Sequence, residues 1–532
     1  MFNILRIPDD VMIKTDKSTL SRNNADVKVS FELDNTVLKA YLTATKEKPC
    51  FICLRWNYIT KEPVKVLGDV FERSYANFFW SSINPERFMP WYFMVTNGKE
   101  TVGCGVKVQP NSFVSFEYDA NGVSAWLDVR CGAKGVNLNG RKLLMAEFVC
   151  KEYGNISSFE ACEKFCGLMC THPILPKEPV YGGNNWYYAY GKSNRENILA
   201  EAKFLSELCA DEENRPFMVI DDGWSVNLTA GPWMPKADYG DMKTLADEFC
   251  EIGVKPGLWV RLLNDKSELE KHKDWRLKRR KIDECSTLDP SNPEVKEYLR
   301  GVLQRFRSWG YKLLKHDYST YDLFGDYGVS LNGMITNDDD WAFFDTTKTS
   351  AEIVLDFYRL IREETDGMYI IGCNTISHLC AGLVEINRTG DDTSGRVWDR
   401  TRALGVNTLA FTLPQNRNFY MVDADCVGIL DDNIPWKLNK QWLDLLAKSG
   451  TPLFVSCDKK SATPEIIEDI KKAFSVASRQ NDKAIPLDWE YNKNPAIWSI
   501  NKNEVNYDWF MDCYPAVLKG NNPPFTKVPW LY

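Results

Sequence analysis

The chain has 532 residues, 44% hydrophobic and 26% charged, with a net charge of −8. That length and composition fit a soluble globular protein with two or three domains. The acidic balance argues against a nucleic-acid partner, whose phosphates need a cationic face, and no apolar run approaches the roughly 18 residues of a membrane span.

The opening MFNILRIPDDVMIKTDKS has no apolar core of the kind a secretory signal carries, so a cytoplasmic protein with reduced thiols is expected. The 16 cysteines are scattered, and their spacing does not supply the two matching pairs of a zinc site. No metal or cofactor is expected.

Residues 1–165 read as strands. VKVSFELD, LKAYLTAT, FICLRWNYI, YFMVTNG, TVGCGVKV and FVSFEYDANGVSAWLDV are rich in β-branched and aromatic residues, and Asn97-Gly98 and Asn121-Gly122 are turn signals between them. An antiparallel β-sandwich is predicted here. SSFEACEKFCGLM (157–169) reads as a helix and leads into the proline-containing linker THPILPKEPV.

The rhythm then changes over 176–480. Short apolar runs alternate with amphipathic helices: NNWYYAYG, RPFMVIDDGW, VKPGLWVRLL, YKLLKHDYS, MYIIGCNT, GLVEINRTGDD, NFYMVDADCVGI and TPLFVSC are the strand candidates. Eight such units predict a (β/α)8 TIM barrel of α/β class, without the glycine-rich phosphate turn of an open doubly wound sheet. Residues 481–532 read as a short aromatic tail or small β extension.

A barrel of this kind builds its site at the carboxyl ends of its strands. The second candidate ends in Asp221-Asp222-Gly223-Trp224 and the third in Trp259-Val260-Arg261. The fourth ends in Lys315-His316-Asp317, the fifth in Cys373-Asn374-Thr375, and the sixth in Arg388-Thr389-Gly390-Asp391-Asp392. Singly, each has a plain explanation as a turn, a cap or a salt bridge. Carboxylates recurring at one end of several strands instead point to a polar pocket.

Two facing carboxylates, no metal motif and 18 tryptophans form a glycosidase constellation. Asp317 fits the nucleophile, with Lys315 nearby to keep it charged. The sixth strand offers Asp391 or Asp392 as the acid/base. His316 should point the other way, because strand side chains alternate. With four histidines and no G-x-S-x-G elbow, a Ser-His-Asp hydrolase is disfavoured.

From Tyr181 to Ser456 the chain resembles the melibiase-type α-galactosidases of glycoside hydrolase family 36, related to families 27 and 31. The resemblance rests on NNWYYAYGKSNRENIL, VIDDGW, KPGLWVRL, LDPSNPEVKEYL, LLKHDYS and RTGDDTSG in that order. It implies Asp317 as nucleophile, Lys315 as a sugar-hydroxyl ligand, and Asp392 rather than Asp391 as acid/base. It further implies that Arg388 holds the hydroxyl beside the anomeric carbon and that Asp221 and Asp222 bind the far hydroxyls. Trp224 and Trp259 become ring-stacking walls, with Cys373 and Asp391 beside the sugar.

The expected activity is retaining hydrolysis of terminal α-galactosides, with an oligosaccharide or glycoside as substrate. Self-association is implied by the resemblance, since the family commonly oligomerises. The alternatives are an α-galactosyl transglycosylase of the raffinose- or stachyose-synthase type and a catalytically silent carbohydrate-binding relative.

Overall fold

In Leu38–Thr43 the side chains of Leu38, Ala40 and Leu42 are buried, while Lys39, Tyr41 and Thr43 are half exposed. This is the period-two pattern of a strand with one face in a core. The computed structural model describes residues 2–34, 36–278, 287–325, 340–430 and 434–511. It places this strand in a six-stranded sheet ordered Lys28–Leu33, Leu38–Thr43, Leu143–Gly154, Glu100–Val106, Tyr92–Thr96 and Lys65–Gly68. A second six-stranded sheet is ordered Ser18–Ser21, Asp10–Thr15, Pro49–Asn57, Gly122–Asp128, Phe113–Asp119 and Met89–Pro90.

Aromatic rings join the two sheets face to face. Trp56 packs on Phe148 at 5.6 Å and Phe116 on Phe93 at 5.4 Å, so the N-terminal unit is an antiparallel sandwich. The strand Leu143–Gly154 has no sequence signal. Its first half, Leu-Leu-Met-Ala-Glu, is made of helix formers, and its place between two neighbouring strands overrides that propensity.

The parallel sheet that follows runs through Tyr181–Asn184, Phe217–Ile220, Lys255–Val260, Leu313–His316, Tyr369–Gly372, Ile386–Arg388 and Leu453–Cys457. Two further segments, Met421–Asp423 and Val427–Ile429, are consecutive in the chain but pair with opposite neighbours, the sixth strand and the last. They are one broken seventh strand, and through them the ring closes as a (β/α)8 barrel. The break falls at Asp425, whose φ of 78° re-aims the chain from one neighbour to the other.

Amphipathic helices surround the ring, among them Arg195–Leu208, Met242–Ile252, Pro293–Ser308, Ser350–Glu364, Trp436–Lys448 and Pro464–Ala477. Ser350–Glu364 starts with a capping box between Thr349 and Glu352.

The first strand corrects the sequence reading. The aromatic run Trp186–Ala189 is a helical turn above the barrel, and the strand beneath it is Tyr181–Asn184. Gly182 is required there, because a Cβ would stand 1.8 Å from the Phe217 carbonyl oxygen. Aromatic composition suggested a strand where close backbone approach needed glycine.

Inside the ring, Phe217, Val219, Leu313, Ile371, Ile386 and Phe454 form their own apolar cluster. Leu314 belongs to the outer core with the helices. The period of two therefore carries Lys315 and Asp317 inward above Leu313 and sends His316 outward. His316 is buried against Phe357 and Tyr358 of the helix Ser350–Glu364.

After the last helix, Ile485–Pro486, Ile497–Ile500 and Asn503–Asn506 make a small antiparallel sheet. Trp489 beside it packs against Trp80 and Phe159 of the N-terminal part and Phe411 of the barrel. Residues 512–532 of the expected tail lie outside the described residues.

Candidate active site

A cavity of about 370 Å³ opens at the carboxyl ends of the barrel strands. Eight residues singled out from sequence line it: Asp221, Asp222, Trp259, Lys315, Asp317, Arg388, Asp391 and Asp392. They come from the second, third, fourth and sixth strands, so closure of the ring is what brings them together.

Asp317 accepts two N–H groups, from Trp259 Nε1 at 3.1 Å and from the Tyr318 backbone at 2.7 Å. These fix the carboxylate toward the cavity. Lys315 differs from expectation. Its Nζ lies 2.7 Å from Asp221 Oδ2, so its ion pair is with Asp221 rather than Asp317. Burial opposes the Lys315 charge, yet Asp221 more than offsets it and holds the ammonium pKa well above the ordinary lysine value. Asp221 also accepts from Asn184 Nδ2 at 2.7 Å and from the Asp222 N–H at 2.9 Å.

Asp222 is only half satisfied. One oxygen accepts the N–H groups of Gly223 and Thr229, and the other is buried with no hydrogen-bond partner. Burial, reinforced by Asp221, raises its pKa to about 6. A buried acceptor without a donor is unfavourable until a ligand hydroxyl reaches it.

The doubled aspartates of the sixth strand have different surroundings. Asp391 is held by Arg73 at 3.0 Å on one oxygen and Arg400 at 2.5 Å on the other. Asp392 pairs with Arg388 at 2.9 Å and leaves 43% of its side chain exposed. Burial of the Asp392 carboxyl works to raise its pKa, but Arg388 and then Arg73 outweigh it and bring it down to about 2. Arg388 is anchored from behind by Asp425 at 3.0 Å. Asp425 in turn accepts the Tyr187 hydroxyl and, at 2.7 Å, the Thr393 N–H.

Two expected sugar contacts are corrected. Trp224 does not line the cavity; it is fully buried against Phe306 and Trp309 and donates its indole N–H to the Trp259 carbonyl at 2.8 Å. The cause is Gly223, whose φ of 102° turns the chain outward where a Cβ would meet Gly191 Cα at 2.5 Å. Cys373 is likewise buried and off the cavity wall, with its Sγ 3.9 Å from Arg388 Nη1.

The lining also includes residues not singled out as site residues from sequence, among them Trp186, Tyr187, Thr229, Tyr318, Asn374 and Arg400. Arg73 and Tyr75 come from a loop of the sandwich rather than from the barrel. Aromatic side chains beside the strand-end motifs were the available clue for Trp186, Tyr187 and Tyr318. Nothing local marks Arg73. Among the described residues, no three His, Cys, Asp or Glu side chains are placed to share a metal ion.

The architecture defines a class: a (β/α)8 barrel led by a β-sandwich. No protein-family model and no curated protein matches the sequence. Solved structures do match in shape, α-galactosidases among them. TtGalA from Thermus thermophilus, solved with p-nitrophenyl α-D-galactopyranoside, has a TM-score of 0.60 at 16% identity, covering 90% of this chain and 99% of that one.

A GH36 α-galactosidase AgaA variant from Geobacillus stearothermophilus, solved with stachyose, has a TM-score of 0.59 at 14% identity, covering 88% and 73%. The α-galactosidase from Lactobacillus brevis gives 0.60 at 13% identity, covering 92% and 76%. The chain therefore has the fold of the family 36 α-galactosidases.

Proposed function

We propose that the protein is a retaining glycoside hydrolase that removes terminal α-galactosyl groups. The observation that carries this reading is the convergence of Asp317 and Asp392, from different strands, on one cavity that also holds the unpartnered oxygen of Asp222. Similar folds solved with galactosides and stachyose support the choice of sugar.

In this mechanism an Asp317 oxygen attacks the anomeric carbon while the bond to the aglycone oxygen breaks. Asp392 gives its proton to that departing oxygen. Asp392, now ionised, takes a proton from water, whose oxygen attacks the anomeric carbon and releases Asp317. Asp222 accepts one sugar hydroxyl and Lys315 donates to another.

The low pKa of Asp392 follows from Arg388, which pairs with it directly. A bound sugar that excludes water and draws Arg388 onto its own hydroxyl raises Asp392 toward the protonated form that the first step needs.

The test is turnover of aryl glycosides: the α-galactoside, α-N-acetylgalactosaminide, α-glucoside and β-L-arabinoside. The α-galactoside should be cleaved with α-galactose as the first-formed anomer. Asp317→Ala should abolish turnover, and azide should rescue Asp392→Gly, but not Asp391→Gly, on an activated leaving group. An Asp317→Ala enzyme near wild-type activity would end this reading.

A further inference from the structure

The sixth strand presents two neighbouring carboxylates to one cavity, and only one of them can serve as the acid/base. We infer that Arg73, carried by the sandwich, is the positioning residue that makes the distinction: it holds the Asp391 carboxyl in place and leaves Asp392 as the carboxyl that exchanges protons. This inference rests on the glycosidase reading above and adds a second domain to its machinery.

The loop that carries Arg73 is fastened to the barrel on both sides. The Ser74 N–H donates to the Thr389 carbonyl at 2.7 Å, and the Asp391 N–H donates to the Ser74 carbonyl at 3.1 Å. Ser74 thus adds a bridge to the chain just beyond the sixth strand, beside Gly390. On the other flank, Asn374 Nδ2 donates to Glu72 at 2.5 Å, and the Ser377 N–H donates to the Phe71 carbonyl at 3.0 Å.

Held this way, Arg73 is nearly buried. Its Nη2 lies 3.0 Å from Asp391 Oδ1, its Nη1 4.0 Å from Asp392 Oδ1, and its Nε donates to the Tyr75 hydroxyl at 3.1 Å. Both Asp391 oxygens are then committed to guanidinium groups, since Arg400 takes the other. A carboxyl whose two oxygens are both held in guanidinium hydrogen bonds is poorly placed to reach a leaving oxygen or a water. Asp392, with Arg388 at 2.9 Å, Arg73 farther off at 4.0 Å and an exposed edge, is free to do so.

The charged and titratable groups facing Asp392 come from every side. They are Arg388 on its own strand, Arg73 from the sandwich, Lys315 from the fourth strand, Tyr187 above the first, Arg400 from the following helix, and Asp391 itself. Taking away Arg73 removes a cation close to Asp392 and also frees Asp391 to move. Both changes favour protonation of Asp392.

The test is the pH dependence of kcat on an alkyl α-galactoside, whose poor leaving group makes proton donation limiting. The alkaline limb then reports the acid in the substrate complex. Arg73→Gln should move that limb upward by about one pH unit, and Arg73→Lys should stay near wild type. Asp391→Asn, which releases Arg73 toward Asp392, should move the limb the opposite way. That opposite shift keeps the test decisive should Arg73→Gln fail to fold.

A role limited to holding the loop would lower kcat at every pH and leave the limb in place, and that result overturns the inference. A wild-type enzyme inactive on all the aryl glycosides above overturns the glycosidase reading instead. Unmoved limbs in an active enzyme overturn only the role of Arg73.

Discussion

Lys315 Nζ and Asp221 Oδ2 lie 2.7 Å apart across an intervening barrel strand, both nearly buried. A buried pair of this kind contributes little net energy, but removing one partner strands the other charge. Lys315→Met should therefore destabilise the fold by about 3–5 kcal/mol, read by chemical denaturation. Adding Asp221→Asn should recover much of that loss. A Lys315→Met protein as stable as wild type would show that the other donors to Asp221, Asn184 and the Asp222 N–H, suffice without the lysine.

Trp259 offers a test within the site. Its indole N–H is one of the two donors on Asp317, and the ring also lines the cavity. Trp259→Phe keeps much of the wall and removes the donor. A hydrogen bond to a charged group is worth about 1.5–3 kcal/mol, so kcat should fall about 10- to 100-fold. Steady-state kinetics with an aryl α-galactoside would contradict this if KM rose and kcat held.

Asp222 should make stability fall as pH rises. Its folded pKa of about 6 lies above the 3.8 of an ordinary aspartate, so between those values the native state holds a proton that the unfolded chain has lost. Above pH 6 the residue costs about 3 kcal/mol. Asp222→Asn removes that term, so the variant should gain on wild type between pH 4 and 7 while losing affinity for the sugar. Urea melts at the two pH values, with equal differences at both, would refute it.

His316 carries the opposite sign. Burial brings its pKa down to about 4 from 6.5, and neither ring nitrogen has a hydrogen-bond partner. The unfolded chain gains the proton first, so this residue's share of stability is intact above pH 6.5 and is lost as pH falls toward 4, by about 3 kcal/mol. His378, also brought down to about 4, contributes a similar slope. His316→Phe should remove one of the two slopes, seen as a smaller drop in Tm between pH 7 and 5, with kcat unchanged.

How much of this was legible depended on whether the signal was local. In Leu313-Leu314-Lys315-His316-Asp317, strand alternation alone separates the inward Lys315 and Asp317 from the outward His316, and the structure agrees. The partner of Lys315 was not legible, because Asp221 reaches it only after the second, third and fourth strands align. Trp224 misled because a tryptophan after Asp-Asp-Gly looks like a sugar wall, whereas the positive φ of Gly223 turns it outward. Arg73 lies in a loop whose sequence, FERSYANF, carries no catalytic pattern, and its meaning comes only from docking on the barrel.

The seam at Ser74 also bears on the order in which the chain is made. Domains generally fold as units during synthesis, the N-terminal one first. The sandwich, whose last strand ends at Gly154, is complete with its loop more than two hundred residues before Thr389 and Asp391 leave the ribosome. The newborn sixth strand therefore meets a preformed edge, with the Ser74 backbone and the Arg73 guanidinium already displayed, and its first carboxylate is claimed as it arrives.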